Sequence, residues 1–339
     1  MPKVLVDTRI DPALLDELAE SSGLSVELAP GKFDTQRELP EKLLRDVRAV
    51  LCSFLPTNHE LMTSLELVQL CSSGYSQVEN LGLPQRSMQV CNASGVNDVP
   101  IAEWAVMMIV ALARDLPTLF RHQQKAIWDR SARFQEEVRG RTLGIWGYGG
   151  IGRETARLAA AMGLRVQVVT RSGRIAPGER FKDPGTGDEA GTIPERVFST
   201  DEVEQFCQTL DFLLLAIPHT PANEGLVNRR LFKALPNHAF LLNPARGMLV
   251  READLLWALE TGQIAGAALD AHFHYPLPPD HPLWQMPNVI LTPHISGSSE
   301  SPHFKQRIWQ LFCGNVRRWQ AGQMVYNALS RAELEPRKI

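Results

Sequence analysis

The stretch TLGIWGYGGIGRETARLAAAMG, residues 142–163, decides the fold. A run of strand character, TLGIW, leads straight into Gly147, Gly149 and Gly152, spaced as G-x-G-x-x-G, and RETARLAAAMG follows with helical character. That order brings backbone N–H groups and a helix N-terminus together, the geometry that holds a pyrophosphate. Without the strand and helix around it, the same motif is only a glycine-rich turn. The next strand-like run, RVQVV, ends at Thr170, where NAD-binding proteins commonly carry an acid for the ribose diol. No acid stands here. TRSGR instead supplies Thr170, Arg171, Ser172 and Arg174, and two guanidinium groups can pair with a 2′-phosphate. NADP(H) is therefore favoured as cofactor, with NAD(H) as the alternative; the other reading of both arginines is a solvated surface.

Outward from this stretch the βα alternation continues through LRVQVVTRS, LDFLLLAIP, HAFLLNPARG, IAGAALD and NVILTPH. Each strand-like run ends in residues suited to a site at strand C-termini, where open α/β sheets bind ligands. Upstream, KVLVDT, DPALLDELAES, AVLCSF, LVQLCSSG and SMQVCNAS form a second alternation, which argues for parallel strands with crossover helices there too. From Pro100 to about Trp128 the chain reads as a long apolar helix, broken or bent at Pro117, that leaves the first domain. SPHFKQRIWQLFCGNVRRWQAG reads as a helix returning to pack on that domain. Residues 174–196 are rich in Gly, Pro and charge and read as a loop.

A chain of 339 residues accommodates two domains, each with its own core. With 44% apolar and 22% charged residues and a formal net charge of -3, there is no electrostatic case for nucleic acid or an anionic membrane. Small molecules are the expected partners. The five cysteines lack a C-x-x-C pair, so neither a disulfide nor a zinc framework is indicated, and a reducing compartment fits. No apolar run reaches the roughly 18 residues a membrane span needs, and the start MPKVLVDTRI does not read as a secretory leader. A cytoplasmic location is expected.

Taken together, the glycine turn at 147–152, NPARG at 243–247, GAALD at 266–270, PNVILTPHISG at 287–297 and the closing NVRRWQAGQMVYN resemble the D-isomer-specific 2-hydroxyacid dehydrogenase family, which includes glyoxylate and hydroxypyruvate reductases and phosphoglycerate dehydrogenases. The resemblance covers nearly the whole chain. It implies an α/β protein of two Rossmann-like domains: a flavodoxin-like substrate domain from residues 1–98 and 296–339, and an inserted NAD(P)-binding Rossmann domain from 99–295. It also implies a homodimer through the helix near 100–128. Arg246 matches the arginine that holds the substrate carboxylate and polarises the keto oxygen; a guanidinium fork suits that work and stays charged at any working pH. His294 matches the acid/base histidine, a group that titrates near neutrality. Ser73, Gly74 and Tyr75 match, more loosely, the loop that binds the substrate carboxylate. Gly150 and Ile151 fall where the family meets the pyrophosphate, and Pro218, Thr220, Ala245, Asp270 and Gly297 where it lines the nicotinamide half.

One departure stands out in LDAHFHYP, residues 269–276. In the family pattern a glutamate stands at a set distance from both the ALD aspartate and the arginine, and both distances lead to Tyr275. The glutamate holds the histidine ring and raises its pKa. A tyrosine hydroxyl stays neutral at working pH, so Tyr275 is expected to orient His294 without charging it. Carbonyl reduction near neutral pH then slows by around tenfold and is not abolished. FHYPLPPDHPLW, residues 273–284, and Asn97 resemble the formate dehydrogenases, a minor alternative. A nucleotide-binding regulatory protein, like the dehydrogenase-like corepressors, is the runner-up; retention of Arg246 and His294 weighs against it. His272, His274 and His281 lie in or near a Pro-rich loop and Asp270 belongs to the family pattern, so no metal is assigned.

Overall fold

Five short runs build the first sheet: β1 Lys3–Asp7, β2 Ser25–Leu28, β3 Val47–Cys52, β4 Leu67–Leu70 and β5 Gln89–Cys91. The computed structural model describes residues 2–31, 35–79, 81–86, 88–131, 136–175 and 180–335. All pairings are parallel and the order is β2-β1-β3-β4-β5, the flavodoxin-like arrangement. Both β1 and β4 are buried along their whole length, as parallel strands covered on both faces must be. The sequence reading did not find β2, a half-exposed edge strand without a continuous apolar run. The helix Pro12–Ser22 starts where Asp11 accepts a hydrogen bond from the Ala13 N–H at 3.0 Å, and stops at Gly23, whose φ of 68° suits a left-handed cap. The closing helix Pro302–Gln320 begins at Ser301, whose hydroxyl accepts from the Phe304 N–H. It buries Phe304, Ile308, Trp309, Leu311, Phe312 and Val316 against this unit's core, as its helical spacing predicted.

The second sheet holds β6 Thr142–Trp146, β7 Arg165–Val169, β8 Arg196–Phe198, β9 Phe212–Leu215, β10 Phe240–Asn243, β11 Gly266–Leu269 and β12 Val289–Leu291. Its order, β12-β11-β10-β9-β6-β7-β8, is the dinucleotide-binding order 3-2-1-4-5-6 extended by one strand. The direction of winding reverses between β6 and β9, so the crevice for a ligand lies at the C-terminal ends of those strands. The sequence reading also did not find β8, a short strand at the sheet edge.

By contacts, one unit comprises Met1–Asn97, Glu179–Asp183 and Ser299–Ile339, and the other Asp98–Gly178 and Pro184–Ser298. The stretch ending at Asp183, which the sequence reading kept with the inserted domain, groups with the first unit: Phe181 packs on its core and Arg307 pairs with Asp183. The long helix is two helices, Asp98–Ala113 and Leu116–Gln124. The break precedes Pro117. Asp115 takes a left-handed φ of 47° and caps the second helix through the Thr118 N–H, which leaves Pro117 in a first turn where its missing N–H costs nothing. Among the described residues no helix is long and apolar enough to cross a membrane, and the five cysteines are free.

Candidate active site

The glycine turn leaves β6 at Trp146. Gly147 has a φ of 100°, and a Cβ there would lie 2.5 Å from the Ala216 carbonyl oxygen, so only glycine passes the β9 loop at this point. Gly149 precedes the helix Gly150–Ala161 and carries no side chain to cap it, while Gly150, Ile151 and Gly152 form its first turn. Uncapped N–H groups at the start of a helix of this length are a fit for a pyrophosphate. At the end of β7, the Thr170 hydroxyl donates to the Arg174 carbonyl at 3.0 Å and Ser172 bridges to Ser199. Arg171 and Arg174 are exposed, and among the described residues neither forms an ion pair. Two unpaired guanidinium groups beside the turn fit a 2′-phosphate. After β9, Pro218 is exposed, and Thr220 opens a single turn in which its N–H donates to Asn223 Oδ1 at 2.7 Å.

Arg246, Asp270, Tyr275 and His294 lie on the loops after β10, β11 and β12. Asn243 closes β10; its Oδ1 accepts from the Ala245 N–H and its Nδ2 donates to the Arg246 carbonyl. That closed loop turns the Arg246 side chain outward, exposed, with Nη1 donating to the Ala245 carbonyl at 2.7 Å. The following Gly247 lies so close to the loop after β11 that a Cβ would sit 2.2 Å from the His272 carbonyl oxygen. This close approach locks the Arg246 loop to the β11 loop.

Asp270, expected to line the nicotinamide half, is completely buried. Its Oδ1 accepts from the Thr292 hydroxyl at 2.6 Å and the Ile295 N–H at 2.9 Å, and its Oδ2 from the Ser296 N–H at 3.0 Å. Those donors bracket His294, which holds a left-handed φ of 58° that a non-glycine residue adopts only when its surroundings impose it. Asp270 is thus the anchor of the histidine loop. The Trp104 indole N–H donates to the Thr292 hydroxyl at 3.1 Å, and His272 Nε2 donates to the Thr292 carbonyl at 2.7 Å. Because a carbonyl only accepts, Nε2 carries the proton. His272 Nδ1 is buried without a hydrogen-bond partner.

Tyr275 lies against the catalytic candidate, with ring centroids 5.5 Å apart and planes inclined by 52°. Its hydroxyl accepts from the His272 N–H at 3.2 Å. The backbone therefore engages the hydroxyl, and Tyr275 meets His294 ring against ring. Burial lowers the pKa of the His294 imidazole below its ordinary value, the Arg246 guanidinium lowers it further, the Asp270 carboxylate opposes this, and His272 adds to the lowering. Gly297 follows the loop, half-buried.

Ser73, Gly74 and Tyr75 lie in the first unit after β4. The Ser72 hydroxyl donates to the Gly74 carbonyl at 2.7 Å, Asn92 Nδ2 donates to the Ser73 carbonyl at 3.1 Å, and Tyr75 packs on that unit's core. The histidines weighed as metal ligands serve other partners: His272 bonds Thr292, and His281 Nε2 bonds Glu252 at 2.6 Å. Among the described residues no group of three or more His, Cys, Asp or Glu is placed to hold a metal ion. Trp104, Thr292 and His272 escaped the sequence reading as support residues. TPHIS contains Thr292, but nothing local signals that Trp104 reaches it.

The family model described as D-isomer specific 2-hydroxyacid dehydrogenase, NAD binding domain, matches residues 106–296. A D-3-phosphoglycerate dehydrogenase of Archaeoglobus fulgidus is 27% identical over 338 residues, covering 98% of this chain and 60% of that protein. The chain thus spans about three fifths of that relative's length. A glyoxylate reductase of Thermofilum pendens is 28% identical over 310 residues, 88% of this chain and 87% of that protein. Among solved structures, an NADPH-dependent glyoxylate/hydroxypyruvate reductase from Sinorhizobium meliloti in complex with citrate is similar at 26% identity and a TM-score of 0.72, covering 97% of this chain and 98% of that one.

Proposed function

Because the chain belongs to the D-isomer-specific 2-hydroxyacid dehydrogenase family, we propose that it is an NADP(H)-preferring reductase of small 2-keto acids such as glyoxylate or hydroxypyruvate. The observation that carries this reading is the tie between the loops of Arg246 and His294, after β10 and β12: Gly247 lies against the His272 carbonyl, and His272 bonds the Thr292 carbonyl two residues before His294. Arg246 pairs with the substrate carboxylate and polarises the keto oxygen. The His294 imidazolium gives its proton to that oxygen as charge develops there. Tyr275 covers one side of the imidazole, and Asp270 keeps the loop in place without touching the reacting atoms. When bound, the reduced nicotinamide supplies the hydride. The first helical turn at Gly150–Gly152 holds its pyrophosphate, and Arg171 and Arg174 its 2′-phosphate.

Arg246 also couples binding to proton transfer. In the free protein its charge pushes the His294 pKa down. A bound carboxylate offsets that charge, so the imidazole gains its proton when substrate arrives. The pH profile of kcat therefore falls at higher pH than that of kcat/KM.

The test is NADPH oxidation with glyoxylate and hydroxypyruvate from about pH 5 to 9, repeated with NADH, and with formate and NADP+ in the reverse sense. Turnover of a keto acid that declines as pH rises supports the reading. NADPH binding without turnover of any member of a broad 2-keto acid panel overturns it in favour of a regulatory protein. Exposed Met107, Phe120, Ile127 and Trp128 support pairing of two copies through this stretch, which sedimentation of wild type against Trp128→Glu tests.

A further inference from the structure

The crossover from β7 to β8 contains no helix among the described residues, although parallel strands are ordinarily joined through one. Part of this connection is latched onto the glycine turn instead. Tyr148, between Gly147 and Gly149, donates its hydroxyl proton to Asp188 Oδ2 at 2.6 Å. Asp188 also accepts from the Thr192 N–H at 3.1 Å and the Ile193 N–H at 3.0 Å. Arg153, one residue past Gly152, donates from Nε to the Tyr148 carbonyl and from Nη1 to the Asp188 carbonyl, with its guanidinium over the Tyr148 ring. Next to it, Glu154 accepts from the Gly187 N–H at 2.6 Å. Tyr148, Arg153, Glu154 and Asp188 are all buried. Burial alone would raise the Asp188 pKa, but the hydrogen bonds from Tyr148, Ile193 and Thr192 and the Arg153 charge outweigh it and hold the group low. The carboxylate therefore stays charged at neutral pH.

The latch reaches the ribose end through packing. Gly191, directly before the two residues whose amides donate to Asp188, lies against Ile175: a Cβ there would come 2.8 Å from Ile175 Cγ2. Ile175 directly follows Arg174, and Ile193 joins it on the core beneath. Residues 176–179, in the same connection, lie outside the described residues.

We propose that the Tyr148–Asp188–Arg153 latch is a specificity-determining element, which holds residues 170–175, and with them Arg171 and Arg174, beside the glycine turn so that a 2′-phosphorylated dinucleotide is favoured. This rests on the reading of Arg171 and Arg174 as the 2′-phosphate partners. A merely structural latch weakens NADPH and NADH alike, whereas a latch that positions the arginines weakens NADPH selectively.

The experiment measures the Kd of NADPH and NADH by nicotinamide fluorescence for the full chain, for Tyr148→Phe, which removes only the hydroxyl, for Asp188→Asn, and for Arg171→Ala/Arg174→Ala. Thermal unfolding shows that each variant is folded. In the latch variants the NADPH Kd rises about tenfold, the ordinary worth of a charge-assisted hydrogen bond, and the NADH Kd rises less than about threefold. A wild type that prefers NADPH, loses that preference in the arginine variant and keeps it in both latch variants overturns the latch alone. A wild type with equal affinity for both dinucleotides overturns the ribose-end reading and the latch with it.

Discussion

Along one edge of the second sheet, the ends of β10–β12 and the end of β7 are built in opposite ways. At the proposed reacting end, a wholly buried carboxylate with three donors holds the loop, Trp104 and His272 brace Thr292, and His294 stands on that scaffold. At the proposed ribose end, Arg171 and Arg174 are exposed; their loop is held by backbone bonds, the Thr170 hydroxyl, the Ser172–Ser199 bridge and the packing of Ile175, none of which engages either guanidinium group. The contrast follows from the work. On the proposed function, proton transfer tolerates little misplacement, and a geometry set before substrate arrives suits it. A phosphate that pairs with two exposed guanidinium groups does so at the cost of ordering them, and that cost limits what each contributes.

This contrast predicts a graded series of effects. Arg246→Gln removes the carboxylate partner at the pre-set end, so kcat/KM for keto acid reduction falls on the order of a thousandfold while the NADPH Kd stays within about twofold; a large change in NADPH affinity would mean that the two ends are not independent. Asp270→Asn turns one acceptor towards a donor in a buried site. It lowers stability by about 2–3 kcal/mol, read from the urea midpoint, and kcat by about a hundredfold. An unchanged kcat would show that the histidine loop holds itself. The double variant Arg171→Ala/Arg174→Ala raises the NADPH Kd by about thirtyfold and leaves NADH unaffected, with kcat at saturation unchanged.

The smallest effect is expected at Tyr275, where the two ends of the comparison can be made more alike or less. In wild type the lowered His294 pKa means that reduction, which needs the imidazolium, is lost as pH rises through a point below the ordinary histidine range. A carboxylate from Tyr275→Glu favours the imidazolium and moves that fall to higher pH, with about a tenfold gain in reduction at pH 8. Oxidation of the 2-hydroxy acid, which needs the neutral ring, shifts the same way and loses activity on the acid side. A pH profile unmoved by the substitution would show that position 275 does not act on His294.

Much of this was legible in the amino-acid sequence, for a local reason. The Gly147–Gly152 turn, the apolar runs of β1, β3, β4, β6 and β9–β12 and the helical spacing of 302–320 are short-range patterns, set by backbone sterics and by which faces must be buried. Arg246, His294 and Tyr275 are candidates because family motifs surround them. The edge strands β2 and β8 were not found, since an edge strand needs no continuous apolar run and takes its partner from the sheet. The helix break was placed at Pro117 and lies before it, because capping by Asp115 decided the register. What only the tertiary structure decided is who supports whom. Trp104 and Thr292 are 188 positions apart, Tyr148 and Asp188 are 40 apart, and Asp270 ties down the loop of a neighbouring strand. A buried polar group takes whichever partner strand order and loop path bring within about 3 Å, and that choice belongs to the packed chain.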